Sequence, residues 1–199
     1  QCGSFVFCGA KIRRVFLLCK LVSIFLTDNS SFFLIGIKAS PTHCIFGKEQ
    51  YFCGMQTIVK CDKNDFAALA AIWERSVRAT HLFLDEDSIA AIKAALVPYY
   101  FPNVELYAVV ENNSPLGFIG LREDMIEMLF VDDNCRGRGF GSALVEFAMQ
   151  KGVKRVDVNE QNPSALAFYC AKGFMVVGRD EVDDAGRPYP ILHLSLPKS

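Results

Sequence analysis

A strand-like run, Met125–Val131, leads into Arg136-Gly137-Arg138-Gly139-Phe140-Gly141-Ser142, and a helical pattern through Leu144, Phe147 and Ala148 opens from those glycines. No other stretch restricts the fold as tightly, because it demands a strand, a glycine loop and a helix in quick succession. Glycine tolerates positive φ and lets backbone approach a ligand, while the first turn of a helix offers unpaired N–H groups and partial positive charge. The segment reads as an anion site able to seat a pyrophosphate, with Arg136 and Arg138 as further contacts. Two other phosphate loops are excluded. No Gly-Lys-Ser/Thr follows, and Ser142 stands where a dinucleotide fingerprint places its third glycine.

The remaining periodicities place this unit in an α+β domain. Residues 56–61 alternate as a first strand, and Phe66, Leu69, Ala70, Trp73 and Val77 make one helical stripe. A second helix is predicted over residues 87–99, stopped by Pro98 and Pro102. Runs 104–110, 116–121 and Met125–Val131, separated by turn residues, suit an antiparallel meander. After the glycine loop and its helix come a strand near 153–158 and a helix that Asn162 caps, Pro163 begins and Gly173 ends. Strands at 174–178 and 191–196 close the order β-α-α-β-β-β-α-β-α-β-β, a mixed central sheet of six to seven strands flanked by helices.

Composition changes at Met55. Residues 1–54 carry 6 basic and 2 acidic side chains, and residues 55–199 carry 15 and 20. The apolar stretch 15–26 is interrupted by Lys20, lacks a small-residue cleavage site and is too short to span a membrane. Residues 1–54 are therefore read as an upstream extension, non-native or disordered, with translation starting at Met55 and the domain occupying 55–199. An overall net charge of −1 without a basic stripe argues against nucleic acid as a partner. Three scattered cysteines in the domain, Cys61, Cys135 and Cys170, suit a reducing, cytoplasmic setting. No His/Cys spacing suggests a metal site.

Arg136-x-x-Gly139-x-Gly141 after a strand, followed by Asn162-x-x-Ala165-x-x-Phe168-Tyr169 and Gly173-Phe174, resembles the two cofactor motifs of the GNAT superfamily of N-acetyltransferases. The likeness extends to the bacterial YjaB-type subgroup through Ile72-Trp73-x-Arg75-Ser76-Val77-x-Ala79-Thr80-His81, Asn159-Glu160-Gln161-Asn162 and Glu181-Val182-Asp183-Asp184. It covers nearly all of 55–198 and nothing before.

The resemblance implies the GNAT fold and a transfer of acetyl from acetyl-CoA, the acyl-donor cosubstrate, to a primary amine by direct attack in a ternary complex. It implies that the strand of Leu129 and its neighbour after the loop splay apart, often with a bulge, with pantetheine filling the gap like an extra strand. Leu129, Phe130, Val131, Arg136, Gly137, Arg138, Gly139, Phe140, Gly141, Ser142, Asn162 and Tyr169 then contact acetyl-CoA. Tyr169 is the candidate acid for the departing thiolate, and Glu127 and His81 are the candidate bases for the incoming ammonium. Strand alternation puts Glu127 on the face of Met125, Leu129 and Val131. Trp73, Ser76, His81 and Phe83 are the expected acceptor contacts, with Asp183 and Asp184 as possible recruiters of a cation. The implied partners are acetyl-CoA and an amine acceptor, with no membrane and a monomer or homodimer. A binding module that senses acyl-CoA, or an enzyme using another acyl donor, would share these motifs.

Overall fold

The computed structural model describes residues 50–53, 56–80, 84–183, 186 and 188–197. Eight strands among them are β1 (Gln50–Cys53), β2 (Gln56–Lys60), β3 (Glu105–Glu111), β4 (Ser114–Arg122), β5 (Met125–Val131), β6 (Arg155–Asn159), β7 (Met175–Asp180) and β8 (Ile191–Ser195). They form one sheet in the order β1-β2-β3-β4-β5-β6-β8-β7. Every neighbouring pair is antiparallel except β5 and β6. Helices α1 (Phe66–Thr80) and α2 (Glu86–Ala95) cover one face, and α3 (Phe140–Gln150) and α4 (Pro163–Ala171) the other.

The strand pattern explains this layering. On β5, Met128 and Phe130 enter the core with Trp73, Ile92 and Phe118, while Leu129 and Val131 enter the core with Leu144, Phe147 and Tyr169. A strand buried on both faces needs apolar residues at consecutive positions, as Met128-Leu129-Phe130-Val131 supplies. On β4, Gly117 lets β5 come close, since a Cβ there would stand 2.9 Å from the Phe130 carbonyl oxygen.

Two elements depart from the sequence expectations. Ahead of the boundary drawn at Met55, β1 pairs with β2 over four residues. Tyr51 packs against Phe147 and Tyr107, with Lys151 Nζ 4.9 Å from its ring centroid. Residues 1–49 lie outside the described residues. The second helix also ends sooner than expected. α2 stops at Ala95 and continues as a wide π turn, Leu96–Tyr100, and a 3₁₀ turn, Phe101–Asn103. Pro98 has no N–H to offer the α-helical ladder, so the chain loosens instead of continuing.

Across the far half of the sheet, His193 of β8 bridges two strands. Its Nδ1 lies 2.8 Å from Asp157 Oδ1 on β6 and its Nε2 3.1 Å from Asp180 Oδ2 on β7. Burial pulls the imidazole pKa down, but the two carboxylates outweigh it and hold it above the usual histidine value. A raised folded-state pKa makes this contribution to stability complete below the ordinary value of about 6.5, with loss as pH rises through the higher folded value. Urea unfolding of native protein and His193→Gln from pH 5.5 to 9 is therefore expected to show the largest gap at the acid end. A gap that widens toward pH 9 would contradict the bridge.

Candidate active site

β5 and β6 pair only at Met125↔Arg155 and Ile126↔Val156. Beyond that point β6 stays with β8 through Asn159↔Ile191, and β5 stays with β4 through Gly117↔Val131. The two strands fork, leaving backbone groups of β5 with no strand on that side. Such groups need partners, and an extended ligand with its own amides can serve as the missing strand.

A β-bulge sits at the fork. Leu121 pairs with Ile126 and Gly120 with Met128, so Glu127 is the extra residue of β5. Ile126 and Leu129 consequently share the α3/α4 core although they are an odd number apart. The alternation expected from Met125 through Glu127 to Val131 therefore breaks. Arg122, which alternates with the core residue Leu121 and so faces α1 and α2, brings Nη2 to 2.5 Å from Glu127 Oε1. Glu127 is buried at 1% exposure and lies toward that helix face, away from Leu129 and Val131.

The glycine loop leaves the open end of the fork. Asp132 caps a short 3₁₀ turn, Asp133–Cys135, and Gly137 and Gly139 then adopt φ of 73° and 81°. Gly139 is the N-cap of α3, and its carbonyl oxygen accepts from Ala143 N–H at 3.0 Å. The N–H groups of Phe140, Gly141 and Ser142 fall in the first turn, where no preceding carbonyl can pair with them. Gly137, Arg138 and Gly139 are exposed, so the helix end is open to an anion.

The two loop arginines are placed differently from the expectation. Arg138 donates to Glu111 and stacks on Phe140, its guanidinium carbon 4.8 Å from the ring centroid. Arg136 turns inward at 16% exposure, with Nη2 donating to the Ser76 carbonyl oxygen at 3.2 Å. With both guanidinium groups engaged by Ser76 and Glu111, an anion at this helix end would meet backbone N–H groups first.

On the α3/α4 side, Asn162 accepts from Ala165 N–H at 3.0 Å, and this cap with Pro163 begins the helix that carries Tyr169. Tyr169 is fully buried between Phe168 and Phe174, in one core cluster with Leu129, Val131 and Val158. Its hydroxyl has no hydrogen-bond partner among the described residues, and burial raises its pKa above the usual tyrosine value. A buried hydroxyl normally has a partner. This one fits a donor awaiting a ligand atom in the fork.

On the opposite side, Trp73 packs edge-on to Phe130 with ring centroids 6.4 Å apart, and Ser76 is buried one turn along. Trp73 Nε1 and Ser76 Oγ also have no partner among the described residues. The expected contacts His81 and Phe83, like Asp184, lie outside the described residues. Asp183 is buried rather than solvated, at 5% exposure. Sequence reasoning missed Arg75 and Asp132, whose pairing joins α1 to the loop; the Arg75 position within the α1 motif was its one local signal.

A pocket lined by Glu105, Arg122, Lys151 and Val153 lies at the other end of β5 and α3, remote from the glycine loop. Among the described residues no His/Cys/Asp/Glu group could hold a metal ion, and no helix is long and apolar enough to cross a membrane.

Comparison with known proteins places the chain among acetyltransferases. Peptidyl-lysine N-acetyltransferase YjaB of Salmonella typhimurium is 44% identical over 131 residues, covering 65% of this chain and 90% of that protein. Peptidyl-lysine N-acetyltransferase YiaC of Escherichia coli is 26% identical over 126 residues, covering 60% and 84%. The solution structure of apo-form YjaB from Escherichia coli matches with a TM-score of 0.66 at 37% identity, over 73% of this chain and 99% of that one. An N-acetyltransferase PaiA of Thermoplasma acidophilum, solved in complex with coenzyme A, shares the fold with a TM-score of 0.53 at 19% identity, over 68% and 96%. The model of the acetyltransferase (GNAT) domain matches residues 90–189, and the chain belongs to the GNAT acetyltransferase family.

Proposed function

We propose that this acetyltransferase moves the acetyl group of acetyl-CoA to the side-chain amine of lysine in proteins or peptides. The observation that carries the reading is the fork between β5 and β6, with the partnerless Tyr169 hydroxyl on its α3/α4 side. Lysine as acceptor is drawn from the names of the relatives at 44% identity.

Acetyl-CoA supplies the thioester, and the chain's residues do the rest. The first turn of α3 and the positive-φ glycines hold the pyrophosphate. The free edge of β5 hydrogen-bonds the pantetheine amides, and a backbone N–H at Leu129 or Phe130 faces the carbonyl oxygen as negative charge develops there. The lysine nitrogen attacks, the C–N bond forms and the C–S bond breaks. Tyr169 donates its proton to the departing sulfur, a role suited to a phenol that burial keeps protonated. Glu127, the first residue past the last β5–β6 pair, takes the proton lost by the amine directly or through water, with Arg122 holding one of its oxygens.

Turnover on lysine-containing peptides, followed by thiol release, tests the reading. Tyr169→Phe is expected to lower kcat by about 10²-fold or more, as for loss of a general acid, with coenzyme A affinity changed little. Coenzyme A binding without turnover on any amine would favour a sensor over an enzyme.

The loop makes a separate prediction. Alanine at Gly139 has room for its Cβ but must hold φ near 81°, at a cost of about 1–2 kcal/mol. Gly139→Ala should therefore weaken coenzyme A binding in calorimetry while leaving the lysine KM near native. Undiminished affinity would remove the loop from the cofactor site.

A further inference from the structure

The motif Trp73-x-Arg75-Ser76 of α1 contains an arginine for which the proposed chemistry has no use. Arg75 donates from Nε at 2.9 Å and from Nη2 at 2.5 Å, both to Asp132 Oδ2. Asp132 is the first residue after β5 and is itself buried, at 8% exposure. Its N–H donates to the Leu116 carbonyl oxygen at 2.8 Å, its Oδ1 accepts from Asn134 N–H at 3.3 Å, and its carbonyl oxygen accepts from Cys135 N–H at 2.9 Å. One oxygen of this carboxylate thus shapes the turn that launches the glycine loop, and the other is tied to α1.

Four residues on, the loop returns the contact. Arg136 donates to the Ser76 carbonyl oxygen, which also accepts from Thr80 Oγ1 at 2.7 Å. Burial pulls the Arg136 pKa down while Asp133 and Asp132 oppose it, and a guanidinium stays charged at any working pH. Its charge lies near the C-terminal, partly negative end of α1. Adjacent residues of one helix therefore hold both ends of the turn: Arg75 grips the carboxylate before it, and Ser76 receives the guanidinium after it.

The same stretch of α1 carries Trp73 and Ser76, whose buried Nε1 and Oγ have no partner among the described residues. α1 stands against β5 through Phe130, on the face opposite Tyr169. The clasp thus joins the pyrophosphate-binding loop to the helix that borders the fork on the acceptor side.

We propose that Arg75 is a positioning residue for acetyl-CoA: clasped to Asp132, it sets the glycine loop in its binding geometry and couples loop occupancy to the order of α1. The proposal rests on the acetyl-CoA reading above. Arg75 touches no reacting atom, and its effect passes through Asp132. Arg78, one turn on, pairs only with Glu74 and Glu86 in the contacts observed and serves as a control on the same helix.

Calorimetry with coenzyme A and steady-state kinetics on native protein, Arg75→Ala, Arg75→Lys, Asp132→Asn and Arg78→Ala provide the test. Arg75→Ala is expected to raise the coenzyme A Kd and the acetyl-CoA KM by about tenfold, within the usual range of site-to-site coupling, while kcat at saturation stays within about threefold. Arg75→Lys should fall between, since an ammonium lacks the paired Nε and Nη2 donors. Asp132→Asn, which keeps the shape, should follow Arg75→Ala if that variant is too unstable to measure, and Arg78→Ala should match native. In hydrogen exchange, coenzyme A should protect residues 73–80 in the native chain and lose that effect in Arg75→Ala. Equal coenzyme A affinity in native and both Arg75 variants would overturn the clasp alone, as would a fall in kcat with KM unchanged. Failure of the native chain to bind coenzyme A would overturn the acetyl-CoA reading and the clasp with it.

Discussion

The parting of β5 from β6 is the constraint on which the rest of the structure depends. A parallel pair that ends after two registered positions leaves peptide groups inside the protein without a ladder, and each such group is costly unless something bonds it. The opening persists because both sides are anchored. β5 is locked between two cores, by Met128 and Phe130 on one face and Leu129 and Val131 on the other. β6 is held by five registered positions along β8, with the Asp157–His193–Asp180 bridge extending that hold to β7. Neither half can move to close the gap without breaking its own packing. Under the proposed function, the extended pantetheine of acetyl-CoA is what would occupy that gap as the missing strand.

The fork also joins faces that are otherwise separate. Tyr169 belongs to the α3/α4 core, while Trp73 and Ser76 belong to the α1 side, and the sheet lies between them. Where strands are paired, a sheet blocks passage from one layer to the other. Beyond Ile126 it does not, so in the proposed reaction the acid would come from one layer and the amine from the other. The bulge at Glu127 serves the same division, because it turns a carboxylate to the α1/α2 side that strict alternation would have sent to the Tyr169 side.

Sequence signals are legible where the physics is local. Asn162, Pro163 and Gly173 delimit α4 because a cap, a fixed φ and a left-handed terminus each depend on one residue's own chemistry. Gly137 and Gly139 have the positive φ that their loop implied. Features set by distant partners were not legible. The family resemblance implies a bulge where the strands splay, but no residue near Glu127 places it there, since the register shift is fixed by β4 and the alternation of β5 itself looks regular. The inward turn of Arg136 depends on a carbonyl 60 residues earlier. β1 is not legible either: composition changes at Met55, after it, whereas Tyr51 finds its partners in Tyr107, Phe147 and Lys151, all remote in sequence.

Arg136 shows how the same residue type can satisfy a motif for a different physical reason than its position suggests. An arginine beside a phosphate-binding loop invites a direct charge contact, yet this guanidinium is mostly buried against α1. Phosphate recognition through backbone N–H groups needs the loop's shape more than added charge, because these weak donors act only when they converge on one point. A cation that fixes the shape from behind contributes to every one of those bonds at once. Arg75, reaching the carboxylate at the other end of the turn, acts on the same geometry from the opposite side. The glycines allow the loop its conformation, and the two arginines select that conformation from the many that glycines allow.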